Sequence, residues 1–169
     1  MGPAANWRGK EWRATRFAEL AQRLTAAGGM LPGARVAVLA AGHERPQAEP
    51  LLKALPENRG IDLVGKLDLP TAAAVLRRCS LFIGNDTGLM HIAAAAGTPT
   101  LGLFGPSPVE QYAPWGPRAA SVRSAEPAAT MFGPGFDHRT TGTLMDGLTV
   151  DMAEAAARSL WASAASAAA

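Results

Sequence analysis

The chain has 169 residues, a length that fits one domain and can bury a hydrophobic core. It is 48% hydrophobic and 18% charged, as in globular proteins, and no apolar run approaches the roughly 20 residues of a membrane-spanning helix. A net charge of only +2, with scattered arginines, argues against nucleic-acid binding. The single cysteine, Cys79, excludes an internal disulfide and a cysteine-cluster zinc site, and together with the absence of a secretory signal it favours the cytoplasm.

The first predicted element is an amphipathic helix over about residues 15–27, in which Phe17, Leu20 and Leu24 recur at helical spacing. A polar loop, GPAANWRGKEW, precedes this helix. The loop carries one lysine, Lys10, and a lysine in such a loop is ordinarily a solvated surface charge.

The middle of the chain alternates between short apolar runs and helical patterns. The runs that predict buried parallel strands are residues 35–40, 61–64, 81–83 and 100–104. The helices between them include one that carries three leucines after residue 50 and one for which Asp68 is the expected N-cap. Strands that alternate with helices indicate a parallel sheet wrapped by right-handed crossovers, so we predict an α/β, Rossmann-like fold with helices flanking the sheet.

The turn after the third strand is the predicted functional surface. Gly84 ends the strand, Asp86 is a strong N-cap type, Thr87 and Gly88 fall in the first helical turn, and Gly97 stops the helix. A helix that opens at the carboxyl end of a buried parallel strand directs free N–H groups and the positive end of its dipole into the crevice above the sheet. Such a place binds anions, phosphate above all.

Two further features of this turn suit a diphosphate. Gly88 has no Cβ to hold a phosphate away, and Thr87 and His91 lie four residues apart, so they share one helical face. The simpler interpretation is that Asp86 and Thr87 only cap the helix and that His91 is a packing residue. The combination of these residues favours a binding site.

After the fourth strand, residues 113–147 are rich in Pro, Gly and small polar residues and predict a long loop, with residues 120–123 as the strand-like piece. Thr149 or Asp151 is the expected cap of a final helix, and the terminal alanine and serine run is expected to fray.

Residues 85–99 read NDTGLMHIAAAAGTP and residues 103–107 read LFGPS. This ordered combination resembles the signature of the heptosyltransferase-type glycosyltransferases, family 9. The sequences NWRGKEW at residues 6–12 and RFAEL at residues 16–20 also resemble the entrance to the donor domain of these enzymes. The chain departs from the family in having Arg13 where proline is common, and in lacking the cysteines that related enzymes often carry in the long loop.

The resemblance implies roles for individual residues. In the family, a lysine at the position of Lys10 faces the sugar-nucleotide phosphates, where an ammonium offsets the charge that grows on the departing diphosphate. The segment after the first strand is similar to the one that supplies an acidic residue to the ribose, for which Glu44 is the candidate and Glu49 the competitor. The implied donor-binding residues are Asp86, Thr87, Gly88, His91 and Glu44. Neither a metal nor another cofactor is expected.

The resemblance covers the C-terminal half of a two-domain GT-B enzyme. In that half the donor binds, whereas the acceptor surface and the general base belong to the N-terminal half. We therefore expect residues 1–169 to be a single donor-binding domain, a fragment or shortened reading frame whose sheet lacks an edge member. A complete enzyme would transfer a sugar with inversion, from ADP-heptose, to a lipopolysaccharide-type acceptor. It would do so in the cytoplasm, peripheral to the inner membrane, and the chain alone would bind without catalysing transfer.

Two other functions remain open from the sequence. One is a non-catalytic module that binds a nucleotide or a partner in the same crevice. The other is a different Rossmann-like enzyme, such as a nicotinamide-dependent oxidoreductase, which would carry Gly-x-Gly-x-x-Gly after an early strand. No such glycine pattern follows residues 36–39.

Overall fold

The computed structural model describes residues 1–166, so the last part of the run that we expected to fray lies outside the described residues. The strands are β1 (Val36–Val38), β2 (Gly60–Asp62), β3 (Phe82–Asn85), β4 (Thr100–Phe104) and β5 (Ala119–Arg123). The helices are α1 (Ala14–Thr25), α2 (Arg45–Ala54), α3 (Leu69–Arg77), α4 (Gly88–Ala95), α5 (Val109–Tyr112), α6 (Ala128–Met131) and α7 (Val150–Ser166). Short 3-10 turns span Arg8–Lys10 and Gly42–Glu44.

All strand pairs are parallel among the described residues. β1 pairs with β2, and β3, β4 and β5 pair in that order. Met1 and Gly2 join the two groups: the Leu39 N–H donates to the Met1 carbonyl at 3.0 Å, and the Gly2 N–H donates to the Ile83 carbonyl at 3.0 Å. The order across the sheet is therefore β2, β1, residues 1–2, β3, β4, β5. Residues 1–2, the start of the sequence, thus lie at the centre of the sheet and not at the edge where the sequence analysis expected a missing member.

The two faces of the sheet are covered by different helices. Successive side chains of a strand point to opposite faces, and β3 shows this directly. Phe82 packs with Leu76 of α3 and Met90 of α4, whereas Ile83 packs in a second cluster with Phe17 of α1. All of these side chains are buried. Helices on both faces of a parallel sheet confirm the predicted Rossmann-like architecture.

The predicted strands and helices are present, and some of their observed ends differ from the predicted ends because of local hydrogen bonds. β2 ends before Val64, because the Val64 N–H donates to the Asp62 carboxylate at 3.0 Å and Gly65 turns the chain at a φ of 71°. Asp68 caps α3 as predicted, since its carboxylate accepts from a first-turn N–H at 2.9 Å. Thr149 rather than Asp151 precedes α7, and its hydroxyl accepts from a backbone N–H at 3.2 Å.

The segment at residues 113–147 contains β5, where the strand-like piece was predicted, and the short helix α6. Its later part is attached to the N-terminal loop: the Trp7 indole N–H donates to the His138 carbonyl at 2.8 Å. Just beyond it, the Arg13 guanidinium donates to the Asp146 carboxylate at 2.6 Å and holds the pKa of that carboxyl below its usual range. The long segment therefore buttresses the loop that carries Lys10.

The buried side-chain amide of Asn85, in β3, also holds the N-terminal loop in place. The Asn85 side chain is fully buried; its oxygen accepts from the Trp12 N–H at 3.2 Å and its nitrogen donates to the Pro3 carbonyl at 2.8 Å. The Trp12 ring is also fully buried, and its indole N–H donates to the Leu148 carbonyl at 2.8 Å. Asn85 thus holds both ends of the loop at the carboxyl end of β3.

We predict that Asn85→Leu destabilises the protein by about 2–4 kcal/mol, because the Trp12 N–H and the Pro3 carbonyl stay buried without their partner. Urea unfolding followed by tryptophan fluorescence measures this change. Asn58→Leu is the matched control, since Asn58 is exposed. Equal unfolding midpoints for the two variants would show that the Asn85 amide does not hold the loop.

Candidate functional site

A cavity of about 470 Å³ opens above the carboxyl ends of β1, β2 and β3. The N-terminal loop, the segments that follow β1 and β2, and the start of α4 contribute its walls. Every site residue predicted from the sequence lines this cavity: Lys10, Glu44, Asp86, Thr87, Gly88 and His91. The fold therefore brings together side chains that are up to 81 positions apart, between Lys10 and His91.

Lys10 and Asp86 form an ion pair on the cavity wall. The Lys10 ammonium lies 2.7 Å from an Asp86 carboxylate oxygen, and the side chains are 24% and 6% exposed. The same ammonium lies 5.4 Å from the centroid of the Tyr112 ring, a cation–π distance. Because a nearly buried carboxylate needs a charge partner, this pair fixes the lysine at the mouth of the cavity.

The prediction that Asp86 is the N-cap of α4 was wrong. Thr87 is the N-cap, with an extended backbone at φ −148° and ψ 170°, and its carbonyl accepts from the Met90 N–H at 3.1 Å. The Asp86 carboxylate is held by Lys10 instead. In the described part of the chain the Thr87 side chain makes no capping hydrogen bond, which leaves its hydroxyl available to the cavity.

Gly88 and His91 lie on the cavity side of α4, and both are exposed. A Cβ added at Gly88 would meet nothing within 4 Å, so the glycine leaves open space directly in front of the helix N-terminus. His91 is thus not enclosed by its apolar neighbours. The positive end of α4 and the Lys10 ammonium face the same space, which makes this part of the cavity suited to an anion.

Glu44 lines the cavity at the end of the turn that follows β1. Its carboxylate accepts from the Ala41 N–H at 2.8 Å, an interaction that orients the side chain. Glu49, the competing candidate, is exposed on α2, pairs with Lys53 at 2.9 Å and does not line the cavity. The geometry therefore favours Glu44 for contact with a bound molecule.

Sequence analysis missed the apolar wall of the cavity. It is formed by leucines from three segments, and Leu69 remains 67% exposed although it is large and apolar. The wall residues are Leu39, Leu63, Leu67, Leu69, Ala72 and Leu89. An exposed leucine at the rim of a concave apolar surface is a feature of small-molecule sites. In the sequence, these leucines look like ordinary strand and helix residues.

Across residues 1–166, no group of three His, Cys, Asp or Glu side chains is arranged to hold a metal ion. The expectation that binding needs no metal stays a prediction, because only a binding measurement tests it. None of the helices in the same residues has the length and apolarity needed to span a bilayer.

Residues 1–135 match the sequence profile of the family described as "Glycosyltransferase family 9 (heptosyltransferase)". The chain belongs to glycosyltransferase family 9. A curated family 9 relative, lipooligosaccharide heptosyltransferase 2 of Haemophilus influenzae, is 33% identical over 129 residues, which is 75% of this chain and 34% of the relative. The chain thus spans about a third of the length of the curated relatives that it matches.

Solved structures of heptosyltransferases share the fold. The E. coli ADP-heptose lps heptosyltransferase II aligns over 95% of this chain and 45% of its own, with a TM-score of 0.76 and 23% identity. E. coli heptosyltransferase WaaC, solved with ADP, aligns over 94% and 42% with a TM-score of 0.71 and 21% identity. The structure of WaaC with ADP-2-deoxy-2-fluoro heptose aligns over 90% and 40%, with a TM-score of 0.63 and 23% identity.

We predict that Lys10→Gln lowers the free energy of unfolding by about 1–3 kcal/mol, because it leaves the Asp86 carboxylate nearly buried without its cation. Lys53→Gln removes an exposed lysine of α2 and serves as the control, with little expected change. The double variant Lys10→Gln with Asp86→Asn should regain most of the loss. Urea midpoints measure all three, and equal losses in the single and double variants would contradict the buried ion pair.

Proposed function

We propose that the cavity binds a nucleotide-sugar donor and that the chain is the donor-binding domain of an inverting family 9 glycosyltransferase. The observation that carries this proposal is the meeting of Lys10, the N-terminus of α4 and an apolar wall in one cavity. A phosphate-binding end next to an apolar surface matches the two chemical parts of a nucleoside diphosphate.

In this proposal each wall has one task. The diphosphate lies against Thr87 and Gly88, where the helix N-terminus and the Lys10 ammonium offset its charge. The nucleobase lies on the leucine wall, and Glu44 accepts a hydrogen bond from a ribose hydroxyl. His91, one helical turn after Thr87, contacts the phosphates or the sugar.

The proposed donor is ADP-heptose, and the proposed acceptor is a lipopolysaccharide-type glycan. The solved WaaC structures with ADP and with ADP-2-deoxy-2-fluoro heptose support this choice, as do the names of the curated relatives. Cytoplasmic residence, peripheral to the inner membrane in the complete enzyme, belongs to the same proposal; the single Cys79 suits a reducing compartment.

Inverting transfer requires a base that removes the acceptor hydroxyl proton while the diphosphate leaves from the other side. Among the described residues on the cavity wall, the carboxylates are Asp86 and Glu44. Asp86 is paired with Lys10, and Glu44 is hydrogen-bonded to the Ala41 N–H. In this proposal Asp86 serves Lys10, Glu44 serves the ribose and His91 contacts the phosphates or the sugar, so the chain stabilises the leaving group and the base comes from another part of the enzyme.

We predict that Gly88→Val weakens ADP binding at least about tenfold, because a β-branched side chain fills the space in which the phosphates lie. The variant should remain as stable as the wild type, since an added Cβ meets nothing within 4 Å. Isothermal titration calorimetry with ADP, UDP and GDP measures binding. Gly28→Val, at an equally open glycine outside the cavity, is the control.

Equal ADP affinities for Gly88→Val and Gly28→Val would remove the turn from the binding site. The same titrations in EDTA test the expectation that no metal takes part. A loss of ADP binding on chelation would overturn that expectation.

We predict no sugar transfer by the 169-residue chain alone, and transfer when a separately expressed N-terminal half of a family 9 enzyme is added. The assay follows transfer from ADP-heptose to heptose-deficient lipopolysaccharide core. Transfer by the chain alone would place the base within it. That result would overturn the proposal that this chain binds the donor while the N-terminal half supplies the base. ADP binding without transfer in any mixture would favour a non-catalytic nucleotide-binding module.

A further inference from the structure

Five arginines lie along the amino edge of the sheet, at the opposite end of the strands from the cavity. Arg59 precedes β2, Arg35 precedes β1, Arg77 and Arg78 lie at the end of α3 ahead of β3, and Arg118 precedes β5. These residues look scattered in the sequence. Because parallel strands all begin at the same edge, the fold brings them together as one arginine row.

Side-chain contacts support this placement. A Cβ added at Gly33 would lie 3.6 Å from a terminal nitrogen of Arg59, so this guanidinium lies beside the loop that leads to Arg35. The Arg118 guanidinium donates to the Gly97 carbonyl at 3.2 Å, in the connection that leads to β4. The arginine row therefore runs across the edge from β2 to β5.

The arginine row carries an excess of positive charge. Arg35, Arg77, Arg78 and Arg118 are exposed. Within residues 1–166, none of the five guanidiniums forms an ion pair with a carboxylate. The connections that lead into the five strands contain one acidic residue, Glu57; these connections are residues 26–35, 55–59, 78–81, 96–99 and 113–118. The nearby helix ends offset only partial charges, so this edge attracts anions.

The same edge carries an exposed tryptophan. Trp115 is 88% exposed and lies three positions before Arg118. The Ala119 N–H donates to the Gly116 carbonyl at 3.3 Å, so the chain turns into β5 directly after Trp115. A single exposed aromatic is ordinary on a protein surface. Beside a row of arginines, however, it matches the tryptophans that lie at headgroup level in membranes, with an apolar ring and a polar N–H.

We propose that the arginine row and Trp115 form a docking face for the anionic surface of a lipid bilayer. The arginines bind lipid phosphates, and the Trp115 indole enters the headgroup region. In this orientation the cavity at the carboxyl edge faces away from the bilayer and stays open to a water-soluble nucleotide. The choice of a membrane as the polyanion rests on Trp115 and on the peripheral residence that belongs to the proposed function.

Binding of the 169-residue chain to lipid vesicles, followed by cosedimentation, tests the docking face. Vesicles of equal parts phosphatidylglycerol and phosphatidylcholine carry the anionic headgroups, and vesicles of phosphatidylcholine alone are the control. The chain should bind the anionic vesicles at least about tenfold more tightly than the control vesicles. Because exposed charges are screened by salt, the difference should shrink as the salt concentration rises.

Two double variants locate the face on the molecule. Arg77→Gln with Arg78→Gln removes two charges from the arginine row and should weaken binding to the anionic vesicles at least about tenfold. Arg8→Gln with Arg139→Gln is the matched control. It removes two exposed arginines from the N-terminal loop and from the segment bound to that loop, at the other end of the sheet, and should bind like the wild type.

Tryptophan fluorescence gives an independent measurement on the wild-type chain. Brominated lipids quench a tryptophan that enters the bilayer, so anionic vesicles that contain them should quench the wild type. Trp115→Phe should remove this quenching. Trp7→Phe, in the N-terminal loop at the other end of the sheet, should retain it.

Several results would overturn the docking face. They are equal binding to anionic and neutral vesicles, no binding to either, an equal loss in the two double variants, and quenching that survives Trp115→Phe. A DNA duplex that binds as tightly as the anionic vesicles would overturn the choice of a membrane.

Titration with ADP keeps this proposal apart from the proposed function. Vesicle binding without ADP binding would refute the nucleotide site alone, and ADP binding without vesicle binding would refute the docking face alone.

Discussion

The buried amide of Asn85 is the interaction on which the rest of the site depends. It stands at the carboxyl end of β3, the strand that both helical layers cover, and it bonds to the loop on either side of Lys10, at Pro3 and Trp12. An amide without hydrogen-bond partners is costly in a low-dielectric interior. The loop must therefore adopt the conformation that supplies both partners of the Asn85 amide. These buried hydrogen bonds, rather than surface contacts, therefore determine where Lys10 lies relative to the N-terminus of α4.

The ion pair between Lys10 and Asp86 gives the cavity its electrostatic character. A carboxylate beside an anion site would repel a diphosphate, but Asp86 is neutralised by the lysine that it holds 2.7 Å away. The lysine and the end of α4 therefore meet a ligand in a fixed arrangement that needs little reorganisation. Such preorganised charge stabilises a leaving group more effectively than mobile charge does. In the proposed function, the base comes from another part of the enzyme.

The sequence could predict what depends on local patterns. The strand and helix order, the turn at Asp86, Thr87 and Gly88, and the glycine that ends α4 follow from residue spacing, and the fold then brings the predicted residues to one cavity. Two features depend on long-range contacts and were not predictable in this way. Asp86 resembles an N-cap in sequence, but Lys10, 76 positions away, takes its carboxylate. The leucine wall combines residues from separate segments, and each looks like an ordinary core residue until the strands are aligned.

The central claim is that the start of α4, beside Lys10, receives the diphosphate of a nucleotide. Titration of the 15N-labelled chain with ADP, followed by amide NMR spectra, tests it most directly because every backbone N–H is observed at once. The account predicts that the largest saturable shifts occur at Gly88 and Leu89, the first residues of α4, with smaller shifts around Glu44 and Leu63. Saturable shifts that cluster instead around Arg35 and Leu81, which precede β1 and β3 at the opposite edge of the sheet, would contradict it.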